Sequence, residues 1–235
     1  MSSSQLPAWY YRVSAIVRNR NGIILWDFDE DISDLDETSQ DQAIIYDGPD
    51  AGEYHRLREK REERKRGFFQ RKEYIRKKTE EAREEEKQKQ REVQAAYETL
   101  EISMSMNSIN ELGPIDTNFY LYCQDYFDYF YDPSPYGWMT RKVRFEYKEG
   151  YSNVLNGQLW LNPNFDFELV PFTPPEHQSL EHHEIQTSDG RFTIIIQFID
   201  KDHLILRSSR DLVFSGRPQD ARGPETFVFM GDYND

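Results

Sequence analysis

The chain carries one cysteine, Cys123. A lone thiol cannot close an internal disulfide, so stability from cross-links within the chain is excluded and a reducing setting, cytoplasmic or nuclear, is the expectation. Long apolar runs are missing as well. The longest, Phe192–Ile196 and Ile23–Trp26, have strand length, far short of the roughly 20 residues a membrane-spanning helix needs. Met1–Gln5 is polar and uncharged, so no secretory leader is expected. There is no Gly-rich phosphate loop, no nucleophile elbow and no CxxC pair, so the common nucleotide, acyl-transfer and redox motifs are absent and no cofactor is expected. Acidic side chains outnumber basic ones, 43 to 29. The net charge of −14 repels nucleic acid and anionic lipid, so either partner would need a local basic patch.

Proline is absent between Glu53 and Ile102, and the only glycine there is Gly67. Glu, Lys, Arg, Gln and Ala dominate this stretch, all good helix formers. Glu62 precedes Arg66, Glu73 precedes Lys77 and Glu85 precedes Lys89 by four residues, the order that supports a helix. The segment predicts one long helix. Phe68, Ile75 and Ala82 fall seven apart, but Ala82 is the only apolar residue between Thr79 and Glu92. That is too sparse for a coiled-coil seam and favours a solvated helix docked at its Tyr97–Ile102 end. Between Arg56 and Lys78 there are twelve positive and four negative side chains, net +8, which leaves −22 for the rest of the chain. Such a run can be a solvated face held by its own ion pairs. It can also be a docking surface, made of Arg56, Arg58, Arg64, Lys65, Arg66, Arg71, Lys72, Arg76, Lys77 and Lys78. The expected occupant is a protein acidic at the contact, or the chain's own acidic stretch Asp27–Asp41. Nucleic acid is the alternative, disfavoured by the interspersed glutamates.

The flanks read as β-structure. Trp9–Val17 and Ile23–Phe28, rich in aromatic and branched residues around Asn21-Gly22, predict an N-terminal hairpin. Ala43–Tyr46 predicts a short strand. Phe119–Trp138 holds ten aromatics and predicts a short amphipathic helix from the spacing of Phe119, Tyr122, Tyr126, Phe127 and Phe130. Beyond it, Lys142–Tyr147, Gln158–Leu161, Phe165–Leu169, Glu184–Thr187, Phe192–Phe198, His203–Arg207, Asp211–Phe214 and Thr226–Met230 predict an antiparallel meander. The expected fold class is α+β: an antiparallel β-sheet body, sandwich or open barrel, with one long charged helix inserted after an N-terminal hairpin. The expected organisation is 1–50, hairpin and acidic loop; 53–102, helix; and 115–235, an aromatic-rich body packing with 1–50.

Two constellations point to chemistry. Ile23-Ile24-Leu25-Trp26-Asp27-Phe28-Asp29 is an apolar stretch ending in Asp-x-Asp, and Phe227–Met230 runs into Gly231-Asp232, with Asp235 beyond. These segments resemble the motifs of the haloacid dehalogenase phosphatases. The resemblance implies Asp27 as nucleophile, Asp29 as acid/base, a Mg²⁺ ion and a parallel sheet. The chain departs from that pattern at Asp31, where the family has Thr or Val, and at the short Asp232–Asp235 spacing. His177, His182 and His183, with Glu181 and Glu184, form the one histidine-rich stretch and are candidate zinc or iron ligands. Adjacent residues of a strand face opposite ways, so His182 and His183 do not share a metal if that stretch is extended. Cys123 sits among aromatics, as a buried inert thiol does. The best expectation is a non-enzymatic scaffold that docks a partner through its basic helix, with the phosphatase as the alternative from another class.

Overall fold

The computed structural model of the protein describes residues 6–20, 22–32, 46–134, 141–162, 165–216 and 223–233. The chain forms two compact units, Met1–Lys77 and Lys78–Asp235. One helix, α3 (Ala51–Ser105), supplies residues to both. It has 55 residues, about 80 Å at 1.5 Å per residue. Among the described residues no helix is long and apolar enough to cross a membrane.

The first unit is helical where a hairpin is expected. Residues 8–20 form α1 (Ala8–Arg20), Leu25–Phe28 is a 3₁₀ turn, and α2 is Asp29–Ile32. The reason lies in the spacing. Trp9, Tyr10, Val13 and Val17 are apolar at three- and four-residue intervals, and this helical period wins over their β propensity. Arg18 and Arg20 in the last turn suit the negative end of a helix dipole. The Asp27 carboxylate accepts the Ile24 N–H at 3.0 Å and closes the 3₁₀ turn. The core of the unit joins Leu6, Trp9, Tyr10, Val13, Phe28 and Ile32 to Tyr54 and Leu57 of α3. Trp9 stacks on Tyr54 at 6.0 Å and meets Phe28 edge-on at 6.2 Å. Asn21 of the expected turn and residues 43–45 of the expected strand lie outside the described residues.

The second unit holds the β-body, and its class is the expected one. Strands β1 (Asn118–Tyr122), β2 (Lys142–Tyr147), β3 (Leu155–Asn162), β4 (Phe165–Phe172), β5 (His183–Gln186), β6 (Thr193–Phe198), β7 (His203–Ser209) and β8 (Thr226–Tyr233) form one sheet, in the order β4-β3-β2-β1-β8-β7-β6-β5. Every neighbouring pair is antiparallel. The sheet curls until its edge strands nearly meet. Leu169 bridges Thr187, and the Ser188 N–H donates to the Glu168 carbonyl at 2.8 Å. Alternate residues fill the inside of this nearly closed barrel: Phe119 and Leu121, Val143 and Phe145, Ile194, Ile196 and Phe198, Phe227 and Phe229.

Two local expectations change here. Phe119 and Leu121 belong to strand β1, and only Gln124–Phe130 is helical (α4). A spacing that marks a helical face also fits strand alternation when the segment is short. Asp211–Phe214, expected as a strand, begins within a one-turn helix, α5 (Arg210–Val213), because the Ser209 Oγ accepts the Leu212 N–H at 3.4 Å. Outside the barrel wall, Val93 and Leu100 of α3 are buried against Ile199 and Ile205, with Tyr97, Met104 and Met230 around them.

Candidate interaction surface

The cations of α3 divide into two sets. Tyr54, Leu57, Arg61, Lys65 and Phe68 recur every three or four residues and turn one face of the helix inward. Arg61 is 2% exposed, with its guanidinium 5.2 Å from the centre of the Trp9 ring, and Lys65 is 8% exposed. Arg64 is half-buried and grips Asp29 with both arms, Nε–Oδ1 2.6 Å and Nη2–Oδ2 2.7 Å. Its hydrogen bonds hold the Asp29 carboxyl below its usual range, and the Arg64 guanidinium lies 5.5 Å from the centre of the Trp26 ring. Part of the expected basic surface thus belongs to the unit's own interior, and one of its cations binds a residue of the chain's own acidic stretch.

The other set faces outward. Among Gln70–Lys78 only Glu73 is half-buried, and every other residue is exposed. The helix here shows its whole circumference, so Arg71, Lys72, Arg76, Lys77 and Lys78 ring it instead of forming one stripe. Arg76 and Lys77 pair with Glu73, Lys78 with Glu81 and Arg56 with Glu53, each within three or four residues. Those bonds hold the Glu73 carboxyl below its usual range, Arg76 being the main cause. Arg58 is half-buried, whereas Arg66, Arg71 and Lys72 are exposed; none of these four has an ion pair among the described residues.

Asp27 and Asp29 are not arranged as the phosphatase resemblance requires. That family needs an apolar strand leading into the first Asp, within a parallel sheet. Here Leu25–Phe28 is a 3₁₀ turn and every described strand pairing is antiparallel. Both carboxylates hold the local structure. Asp27 binds the Ile24 N–H and Arg20 at 3.0 Å, and Asp29 binds Arg64. Asp232 lies in β8, and Asp235 falls outside the described residues.

His177 and His182 are exposed, and His183 packs its ring 5.8 Å from Phe198. Among the described residues no group of three or more His, Cys, Asp or Glu side chains is arranged to hold a metal ion.

Two clusters were not visible in the sequence. The Asp200 carboxylate takes the His203 Nδ1 at 2.9 Å and the backbone N–H groups of Asp202 and His203 at 2.8 Å. The His203 Nε2 lies 3.6 Å from Asp232, which also receives Lys89 of α3 at 2.8 Å; Lys89 in turn donates to Glu92 at 2.9 Å. Hydrogen bonds and charge from these carboxylates raise His203, the Asp200 bond first, and raise Lys89, the Asp232 bond first. In the second cluster Glu86 of α3, 3% exposed, accepts the Cys123 N–H at 2.8 Å and pairs with buried Arg141, whose guanidinium lies over the Tyr126 ring. Burial raises Glu86 against the pull of Arg141. Burial also pushes the Cys123 thiol up to about 11, which leaves it protonated and unreactive near neutrality. The available signal was the spacing of Glu86, Lys89, Val93, Tyr97 and Leu100, which puts one mixed stripe on a single face of α3.

Compared with protein-family models, with curated proteins and with solved structures, the chain matches none.

Proposed function

We propose that the protein is a non-enzymatic scaffold, and that the exposed cations of α3 dock an acidic segment of a partner protein. The observation that carries this reading is that Arg71 and Lys72 stand exposed on α3 with no ion pair among the described residues, and that exposed Arg66 has only the nearby charge of Glu63. Arg64, two residues before Arg66, shows how this helix takes a carboxylate, with two charge-assisted hydrogen bonds. Exposed cations add little to folding, so leaving them unpaired has small effect on the fold while they steer an acidic partner toward the helix. The acidity of the rest of the chain excludes unwanted anionic contacts elsewhere on the molecule.

The test is fluorescence anisotropy with a labelled glutamate-rich peptide and, in parallel, a labelled DNA duplex. Both are titrated with the full chain and with the variant Arg66→Glu, Arg71→Glu, Lys72→Glu, Lys77→Glu. These side chains are exposed, so the circular dichroism spectrum should be unchanged. The expected result is peptide binding that weakens with salt and falls about tenfold or more in the variant. Equal binding by the variant overturns the proposal, and so does tighter binding of the duplex than of the peptide.

A further inference from the structure

The barrel seam carries a depression that the helix reading does not use. It is an open hollow of about 340 Å³, lined by Arg144 and Glu146 of β2, Asn156, Gly157 and Gln158 of β3, Glu168, Leu169 and Pro171 of β4, and Ser188. That volume sits at the lower end of the range for small-molecule sites, roughly 300–1,000 Å³. The backbone accounts for the opening. Leu155 pairs with Phe172 and Gly157 with Leu169, so β4 has an extra residue opposite Asn156. Pro171 stands in that bulge and has no N–H to give to the ladder. Beyond it, the β4 and β5 edges meet at the Leu169–Thr187 bridge. The wall is therefore interrupted at this point. A Cβ at Gly157 would fall 2.7 Å from Leu169 Cδ1, so a side chain there would have to displace Leu169.

The lining sets the chemistry. Arg144 is paired to Glu146, and the Gln158 amide donates to Asp166 at 2.8 Å. The side chains of Asn156, Glu168 and Ser188 have no hydrogen-bond partner among the described residues. A free carboxylate accepts two hydroxyl protons, an amide both donates and accepts, and a hydroxyl does either. One guanidinium against two carboxylates leaves the lining at −1, which disfavours anions. From these features we infer that the depression binds a hydroxyl-rich small molecule of sugar size, uncharged or singly cationic, with an amino sugar as the best fit. The ammonium of such a ligand lies toward Glu168, and its hydroxyls lie toward Asn156 and Ser188. The site is open and polar, so binding is weak, in the millimolar range.

The experiment is a titration of the amide NMR spectrum of the full chain with glucosamine, glucose and glucose 6-phosphate. Glucosamine should give saturable shifts at 144–146, 156–158, 168–169 and 188. Glucose should bind more weakly, and the phosphate ester most weakly. Glu168→Gln and Ser188→Ala should each weaken glucosamine, the first by about tenfold because a charge-assisted contact is lost. Ser188 stands outside the strands, so its variant leaves strand pairing intact and remains informative if the other disturbs the barrel. The inference is overturned if neither sugar gives saturable shifts, if both variants bind as the parent does, or if the phosphate ester binds tightest.

Discussion

At the scale of single residues, half-buried His203 and Asp200 of the barrel unit help to fasten it, and each has a direction with pH. His203 lies between Asp200 and Asp232, with Asp202 close by and Lys89 and Glu92 of α3 across from it. Its folded pKa is raised above the ordinary 6.5, so its contribution is fully present below that value. The contribution is lost as pH rises through the higher folded value. Asp200 runs the other way. Its carboxyl is lowered, so its contribution holds above the ordinary 3.8 and fades as pH falls through the folded value. The expected outcome is a melting temperature that declines from mildly acid to mildly alkaline pH. His203→Gln should flatten that decline, and an equal decline in the variant would remove His203 as its source. The Glu86–Arg141 pair needs a different account. Two charges are taken from water there, so their mutual attraction chiefly offsets desolvation. Its clearer role is positional: it fixes α3 against the Cys123 N–H and the start of α4.

At the scale of elements, α3 is one helix with two kinds of surface, and its hydrophobic pattern says where each lies. From Tyr54 to Phe68 one face is buried, Gln70–Lys78 is solvated, and from Glu86 onward one face is buried again. Leu100 is buried against the barrel wall, whereas Ile102, two residues on, is exposed. Leu100→Ala should destabilise the barrel unit by about 2–5 kcal/mol and Ile102→Ala by about 0.5 kcal/mol or less. Urea unfolding monitored by circular dichroism measures both, and similar losses for the two would mean that α3 is not seated by this face. Residue types alone announce the docked C-terminal end of this pattern but not the buried Tyr54–Phe68 face. The long helix follows from the absence of proline, and β6 from the alternation of Ile194, Ile196 and Phe198. The N-terminal helices were not legible, because Trp9, Tyr10, Val13 and Val17 satisfy both a helical period and a β-rich composition. The burial of Arg61 and Lys65 was hidden for a further reason: a charged residue enters a core only once an aromatic ring or an ion partner has been placed beside it by tertiary structure.

At the scale of the whole molecule, closure of the sheet depends on pairing between distant parts of the chain. The meander runs locally from β5 to β8 and from β2 to β4, and turns such as Ser188-Asp189-Gly190 mark it in the sequence. The junction of the two halves does not show there. It is made by β1 and β8, with Phe119 opposite Tyr233 and Tyr122 opposite Met230, a pairing that no local signal announces. β8 also pairs with β7 along its other edge and places Phe227 and Phe229, both fully buried, in the barrel core. Removing it exposes two strand edges at once and empties the space of two aromatic side chains, each worth about 3–5 kcal/mol when cut back to alanine. That loss is comparable to the whole stability of an ordinary domain, about 5–15 kcal/mol. A chain ending before Thr226 should therefore keep the far-ultraviolet helical signal of α3 in part and lose the near-ultraviolet aromatic signal of the barrel. Its unfolding in urea should become shallow, and the exposed edges of β1 and β7 should make it prone to aggregate. Addition of the separate peptide Thr226–Tyr233 should restore the near-ultraviolet signal, because the gap it fills is bounded on both sides by strands in fixed register. A truncated chain that unfolds cooperatively, with its aromatic signal intact, would show that the two halves of the sheet hold together without β8.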